Sequence, residues 1–138
     1  MFFEKKEDKK ENIPFSKIGS LLIHAAKIDE QYSNEEEEII KKTLISIGAK
    51  KENIDDLIKI SIKDEENSNQ ILEFTREVKN LSENNKILII KALWEIIYSN
   101  KKADIYETGL MRRLSGLLYI DSKIMGAIKE NIKKKYIK

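Results

Sequence analysis

The sequence predicts an all-α fold, a compact bundle of about seven helices with an internal pseudo-duplication. The chain of 138 residues contains only 5 Gly and 1 Pro, so it has few of the residues that hairpins and long ordered loops require. Its apolar residues recur mostly at spacings of three and four, which is the helical period. A motif at 29–36 also recurs at 100–107, a constant offset of 71 residues. Because this offset is about half the chain length, the recurrence indicates a helix-loop-helix unit that occurs twice.

Residues 1–13 are predicted to form a mobile charged tail, and residues 14–138 a single helical domain. The tail alternates charges without an apolar period, so it cannot bury enough surface to offset its ordering entropy. The rest of the chain has the length of one domain with one core.

The first two helices are predicted from an apolar stripe and a capping pattern. The first runs from Phe15 to near Asp29, and its two faces are an apolar stripe of Ile18, Leu21, Leu22, Ala25 and Ile28 and a polar stripe of Lys17, Ser20, His24 and Lys27. The pair Ser33 and Glu36 has the spacing of a capping box, which begins the second helix. Gly48 suits the left-handed position that ends it.

Five further helices follow from the same kinds of signal. The third runs over 54–62 and the fourth over 71–78, separated by the polar stretch 64–69. Ser82 is the expected N-cap of the most hydrophobic helix, 87–98, which is predicted to be the central one. Asp104 and Glu107 repeat the capping pattern before the sixth helix, and Asp121 is the expected cap of the seventh.

Composition excludes several classes of function. A formal net charge of +2 gives no strong field for a nucleic acid, and no apolar stretch is long enough to span a membrane. The first residues contain no secretory apolar region, which predicts a cytoplasmic protein. The chain has 1 His, 0 Cys and no glycine-rich phosphate loop, so a non-enzymatic role is predicted.

A resemblance to a known family rests on 93–107 with 110–118, and on 25–29 with 33–36. These segments resemble the TerB-like (tellurite-resistance protein B) superfamily in their apolar helix, Asp-containing loop and acidic helix start. The resemblance implies an all-helical fold, a cytoplasmic bacterial setting, and a role in stress or metal-related processes without an established catalytic activity. It also implies a divalent cation site, with candidate ligands Asp29, Glu36, Asp104 and Glu107.

The cation site has a competing interpretation. Carboxylates and loop carbonyls suit Ca²⁺, Mg²⁺ or Mn²⁺ if the two loops converge in space. The pairs Ser33 with Glu36 and Asp104 with Glu107 are also explained as helix caps that need no ligand. Lys101 stands where the family tends to have glycine, and its charge opposes a bound cation. An EF-hand is excluded, because Asn34 and Ile40 occupy the positions of its glycine and final glutamate.

Three other features have a structural and a functional interpretation. His24 lies on the polar stripe of the first helix, where a surface residue is favoured over a base or metal ligand. The lysines of 129–138 are interpreted as side chains that interact with the negative end of a helix dipole. A membrane-binding or nucleic-acid-binding patch is the alternative. Trp94 and Tyr98 are expected in the core, and an interaction surface is the alternative if they are exposed with Tyr106 and Tyr119.

Two functions therefore remain. The first is a TerB-like stress-associated module that binds a divalent cation. The second is a metal-free helical adaptor that holds a protein partner in a groove beside the central helix. A protein partner is expected in either case, and no nucleic acid.

Overall fold

The computed structural model describes residues 13–27, 33–68, 71–99 and 105–136, apart from the side chains of 105–108. The regular structure in these ranges is entirely helical, which confirms the all-α prediction. Within them the chain forms α1 Phe15–Ala26, α2 Asn34–Ile47, a 3-10 helix Lys51–Asn53, α3 Ile54–Glu66, α4 Leu72–Val78, α5 Glu83–Ser99, α6 Ile105–Leu117 and α7 Ser122–Tyr136.

The predicted tail and both predicted acidic loops fall largely outside the described residues. These segments are 1–12, 28–32 and 100–104, so the tail and the internal duplication stay predictions. Ile13, the last residue of the predicted tail, is described and packs half-buried against the core. The packed part of the chain therefore includes Ile13.

The apolar core is centred on two helices. α1 packs against α2, α3, α4 and α5, and α5 packs against α1, α2 and α7. Most of α1 is buried, and Ile18, Leu21, Leu22 and Ile23 are each fully enclosed. The expectation of a single central helix, α5, is therefore corrected, because α1 shares that position.

α1 and α3 cross at close range around two small side chains. A Cβ atom added to Gly19 would lie 2.2 Å from Oγ of Ser61 and 2.8 Å from its Cβ. The Ser20 hydroxyl is buried and donates to the Ser61 carbonyl oxygen at 2.8 Å. Ser20, which the sequence places on the polar stripe of α1, is therefore buried, because a small hydroxyl can be buried when a backbone acceptor lies opposite.

α3 is longer than its apolar pattern predicts. Residues 64–66, expected in a polar connection, continue the helix to Glu66. Glu65 is held there from α1, since Lys27 Nζ donates to its Oε1 at 3.0 Å and His24 Nδ1 lies 3.2 Å from its Oε2. Charged partners on the neighbouring helix thus extend α3 by a turn that has no apolar signal.

Two predicted helix starts are confirmed. The Ser82 hydroxyl accepts from the Asn85 amide at 3.3 Å, ahead of α5. The Asp121 carboxylate accepts from the Lys123 amide at 2.7 Å, ahead of α7. Such side-chain acceptors satisfy amides that the first turn of a helix leaves without a partner.

α2 ends as predicted, at a glycine with positive φ. Gly48 has φ of +133°, and the next residue, Ala49, donates its amide to the Leu44 carbonyl at 2.9 Å. This bond reaches back five residues, as in a Schellman motif. Glycine fits the position because it has no Cβ to oppose a positive φ.

α6 ends by the same motif but without a glycine. Tyr119 has φ of +57°, and the Ile120 amide donates to the Ser115 carbonyl at 2.9 Å. The buried Lys86 ammonium adds a bond to the Leu118 carbonyl at 3.0 Å. A left-handed conformation costs a residue with a side chain about 1–2 kcal/mol. The Tyr119 side chain is 72% exposed, so burial returns little of that cost.

Replacing Gly19 by Ala is expected to destabilise the protein. Overpacking against Ser61 costs about 1–3 kcal/mol, and the better helix propensity of Ala returns about 1 kcal/mol. A net loss of up to about 2 kcal/mol should appear in urea unfolding. Gly126→Ala is the matched control within α7, where an added Cβ meets nothing within 4 Å, and it should raise the free energy of unfolding. Equal effects of the two substitutions would contradict the close crossing.

Replacing Tyr119 by Gly is expected to leave the free energy of unfolding unchanged or to raise it by up to about 1 kcal/mol. The relief of the positive φ exceeds or balances the larger unfolded-state entropy of Gly. Gly48→Ala, the opposite change at the end of α2, should lower stability, because Ala must then adopt φ of +133°. Thermal melts of both variants test this, and a clear loss of stability in Tyr119→Gly would show that its side chain supports the fold.

Candidate functional site

The start of α2 carries the described part of the candidate site. The Ser33 hydroxyl accepts from the Glu36 amide at 3.1 Å, and Glu36 Oε1 accepts from the Ser33 amide at 2.8 Å and from the Ser33 hydroxyl at 3.1 Å. The predicted capping box is therefore present on both sides.

Glu36 is also one of the most enclosed charged residues of the described chain. It is 2% exposed and lies on the same stripe of α2 as the buried Ile40 and Leu44. Most glutamates at the start of a helix are exposed, because a carboxylate loses much hydration free energy on burial. The Glu36 carboxylate is thus built into the interior at the first turn of α2.

The other three predicted ligands cannot be placed. Asp29 and Asp104 lie outside the described residues, as does the side chain of Glu107, whose backbone belongs to α6. Within the described part of the chain, no group of three or more His, Cys, Asp or Glu side chains has the arrangement of a metal site. The cation site therefore remains a prediction for which the structure describes one candidate ligand.

The start of α2 lies beside the last turns of α5. Glu35 of α2, Glu95 of α5 and Tyr136 of α7 line the same groove of about 440 Å³. The Tyr136 hydroxyl donates to Glu95 Oε2 at 3.4 Å, and Lys135 Nζ lies 3.3 Å from the same oxygen. Burial, and then the negative charge of Glu95 with a smaller effect of Glu35, raises the pKa of the Tyr136 phenol.

The adaptor hypothesis expects a groove beside the central helix, but the sequence did not identify the residues that line this one. Lys91 and Glu95 interrupt an otherwise apolar helix, which was the available signal, but their partners come from α2 and α7. Sequence spacing within one helix does not reveal pairings between helices that are 40 residues apart. The groove walls also include three lysines, so the carboxylates there do not form an isolated acidic cluster. Those lysines are Lys42, Lys91 and Lys135.

His24 belongs to a network of ion pairs between α1 and α3. Its Nδ1 lies 3.2 Å from Glu65 Oε2, and Lys27 binds the other oxygen of the same carboxylate at 3.0 Å. The side chain of His24 is 38% exposed. The interpretation as a partly exposed helix residue is supported, because its observed partner is a structural carboxylate.

Trp94 and Tyr98 pack in the core. They are 2% and 3% exposed, and their rings stack with centroids 5.9 Å apart at an interplanar angle of 24°. Burial, followed by the negative charge of Glu130, raises the pKa of the Tyr98 phenol. The alternative of an interaction surface centred on this pair is excluded, while Tyr119 is exposed elsewhere on the molecule.

The lysine-rich last helix makes specific contacts with α5. Lys129 Nζ lies 5.4 Å from the centroid of the Trp94 ring, and Lys135 pairs with Glu95. Three lysines also occupy the last turn of α7, where they interact favourably with the helix dipole. Among the described helices, none has the length and apolar character needed to cross a membrane.

Comparison with known proteins agrees with this architecture. The family model described as "Tellurite resistance protein TerB" matches residues 16–130, which includes α1 to α6 and the first half of α7. No curated protein and no solved structure matches the chain. The match covers most of the chain and both of its acidic motifs. The chain therefore belongs to the TerB family.

Proposed function

We propose that this protein is a non-enzymatic, cytoplasmic TerB-family module that binds a divalent cation between its two acidic segments, 29–36 and 100–107. The observation that carries the proposal is the approach of the start of α2 to the end of α5. Glu35 and Glu95 both act on Tyr136, so the first turn of α2 and the last turns of α5 flank one residue.

The two acidic segments begin from this shared region. Residues 28–32 enter α2 directly before Ser33, and residues 100–104 follow directly after Ser99, the last residue of α5. Glu95 is four residues before Ser99, a distance of about 6 Å along a helix axis. Both segments therefore start within a short distance of the same groove, which supports their convergence.

The chemistry of the candidate ligands defines the ion. Asp29, Glu36, Asp104 and Glu107 offer carboxylate oxygens, which suit Ca²⁺, Mg²⁺ or Mn²⁺ better than Zn²⁺. The cap uses Glu36 Oε1, and a carboxylate with two oxygens can serve a cap and a cation together. The inventory of 1 His and 0 Cys supports a binding role over catalysis.

An adaptor function is the second candidate, and exposed apolar surface favours it. Ile60 is 53% exposed and borders a groove of about 420 Å³ that also contains Phe15, Ala49 and Leu57. Leu72 and Tyr119 are exposed at a separate place. Large apolar side chains that remain in water are a common feature of partner-binding surfaces.

Cation binding is tested by calorimetric titration of the chelator-stripped protein with Ca²⁺, Mg²⁺, Mn²⁺ and Zn²⁺. Saturable heat is expected with one of the first three ions, at a Kd on the order of 10⁻⁵–10⁻³ M. The double variant Asp104→Ser, Glu107→Gln separates the two interpretations, because Ser and Gln still form a capping box but remove both negative charges. It should keep its melting temperature and bind the ion at least about tenfold more weakly.

The matched control removes two exposed carboxylates, on α3 and α4, that do not line the groove beside Tyr136. Asp56→Ala with Glu77→Ala should bind the cation as the native protein does. No heat from any ion at millimolar concentration would refute the cation function and leave Glu36, Asp104 and Glu107 as helix-cap residues.

A further inference from the structure

The surface between α4 and the end of α6 contains an exposed aromatic residue in an unfavourable backbone conformation. We call it the α4–α6 groove, a depression of about 190 Å³ whose principal residues are Leu72, Arg76, Lys79, Leu117 and Tyr119. It lies apart from the groove beside Tyr136, and the two share no lining residue.

Tyr119 is unusual because its position favours glycine. The matching position at the end of α2 is Gly48, and both helices end with the same backbone hydrogen bonds. Tyr119 has φ of +57° and is 72% exposed. Neither its backbone conformation nor packing in the core therefore explains why a tyrosine occupies this position. Strained residues that the fold does not require occur most often at functional sites.

The cations of the groove are available for a partner. Lys79 Nζ lies 6.0 Å from the Tyr119 ring centroid, and Arg76 is exposed one turn before it. Neither has a carboxylate partner in an ion pair among the described residues, and no described Asp or Glu lines the groove. At the carboxyl end of α6, the Lys86 ammonium donates to the Leu118 carbonyl oxygen. Arg76 and Lys79 are therefore not required to neutralise the negative end of that helix dipole.

The apolar part of the groove comes from both helices. Leu72, Arg76 and Lys79 are spaced by four and three residues, so they share one face of α4. Leu72 is 41% exposed, and the half-buried Leu117 faces the same depression from α6. Glu73 and Glu77 each follow a groove residue by one position, which turns them about 100° away from this face.

We infer that the α4–α6 groove binds an acidic segment of a partner protein that carries a large apolar side chain. The apolar side chain packs between Leu72, Leu117 and Tyr119, and the flanking carboxylates pair with Arg76 and Lys79. Two leucines favour a protein over a nucleic acid, whose backbone offers no comparable apolar group. Tyrosine and arginine are the residues most often found at the energetic centre of such interfaces.

This inference rests on the adaptor function and is independent of the cation. The test is an amide chemical-shift titration of the isotope-labelled full chain with short synthetic peptides of Glu and Asp that contain a single Leu or Phe. Saturable shifts are expected at Leu72, Lys79 and Leu117. Matched peptides with Ser in place of Leu or Phe should bind at least about tenfold more weakly.

Variants connect the binding to this groove. Tyr119→Gly keeps the fold and should lower affinity about tenfold, as should Arg76→Glu with Lys79→Glu, while Tyr119→Phe should retain binding. The control for charge is Lys59→Glu with Lys123→Glu, two exposed lysines outside the groove, which should bind as the native chain does.

Three results would overturn the inference. The first is no saturable shift with any peptide at millimolar concentration. The second is binding that Tyr119→Gly does not weaken, or shifts at Ile60 instead, which would leave the adaptor function standing with another surface. The third is equal binding of the Ser peptides or of oligouridine, which would show that charge alone is recognised.

Discussion

The close crossing of α1 and α3 is the constraint on which the rest of the structure depends. Gly19 allows α3 to approach so near that Ser61 occupies the space a Cβ would need. At this distance Ser20 can bury its hydroxyl against the Ser61 carbonyl, and Glu65 reaches both His24 and Lys27. α1 becomes a core helix that packs against α2, α3, α4 and α5. The start of α2 and the end of α5 flank the candidate site.

In the described part of the chain, the buried charged side chains bond to the ends of helices. The interior is largely apolar, and the described charged residues with low exposure, Glu36 and Lys86, both serve helix termini. Unpaired amides and carbonyls at a terminus are satisfied best by a side chain that is itself fixed. The same fixed groups are available for other tasks, because a buried carboxylate at a helix start is already held in one position.

The sequence was sufficient for the helices and for local caps. Apolar spacing and helix caps depend on residues that are close in the chain. The structure confirms the capping box of Ser33 with Glu36 and the caps at Ser82 and Asp121. Contacts between distant helices were not accessible from spacing. Glu65 looked like part of a polar connection until its partners on α1 were known.

Only the part of the candidate site formed by residues close together in the chain could be predicted from the sequence. The capping role of Glu36 follows from the four-residue motif 33–36. The groove that contains Glu95 and Tyr136 depends on how α2, α5 and α7 pack. Tyr119 carried no sequence signal at all, because a positive φ at a tyrosine is contrary to its usual preference.

Cation binding as proposed requires the two acidic segments, 29–36 and 100–107, to meet beside the start of α2 and the end of α5. Since the chain has 0 Cys, a Glu30→Cys, Lys101→Cys variant can be cross-linked with a short thiol-reactive reagent in dilute solution. Fast intramolecular cross-linking of this variant is expected in the folded state and should be lost in urea. A Lys51→Cys, Lys101→Cys pair, with Lys51 beyond the far end of α2 about 20 Å away, should not cross-link. If the Glu30→Cys, Lys101→Cys variant cross-links no faster in the folded state than in urea, the two acidic segments do not meet.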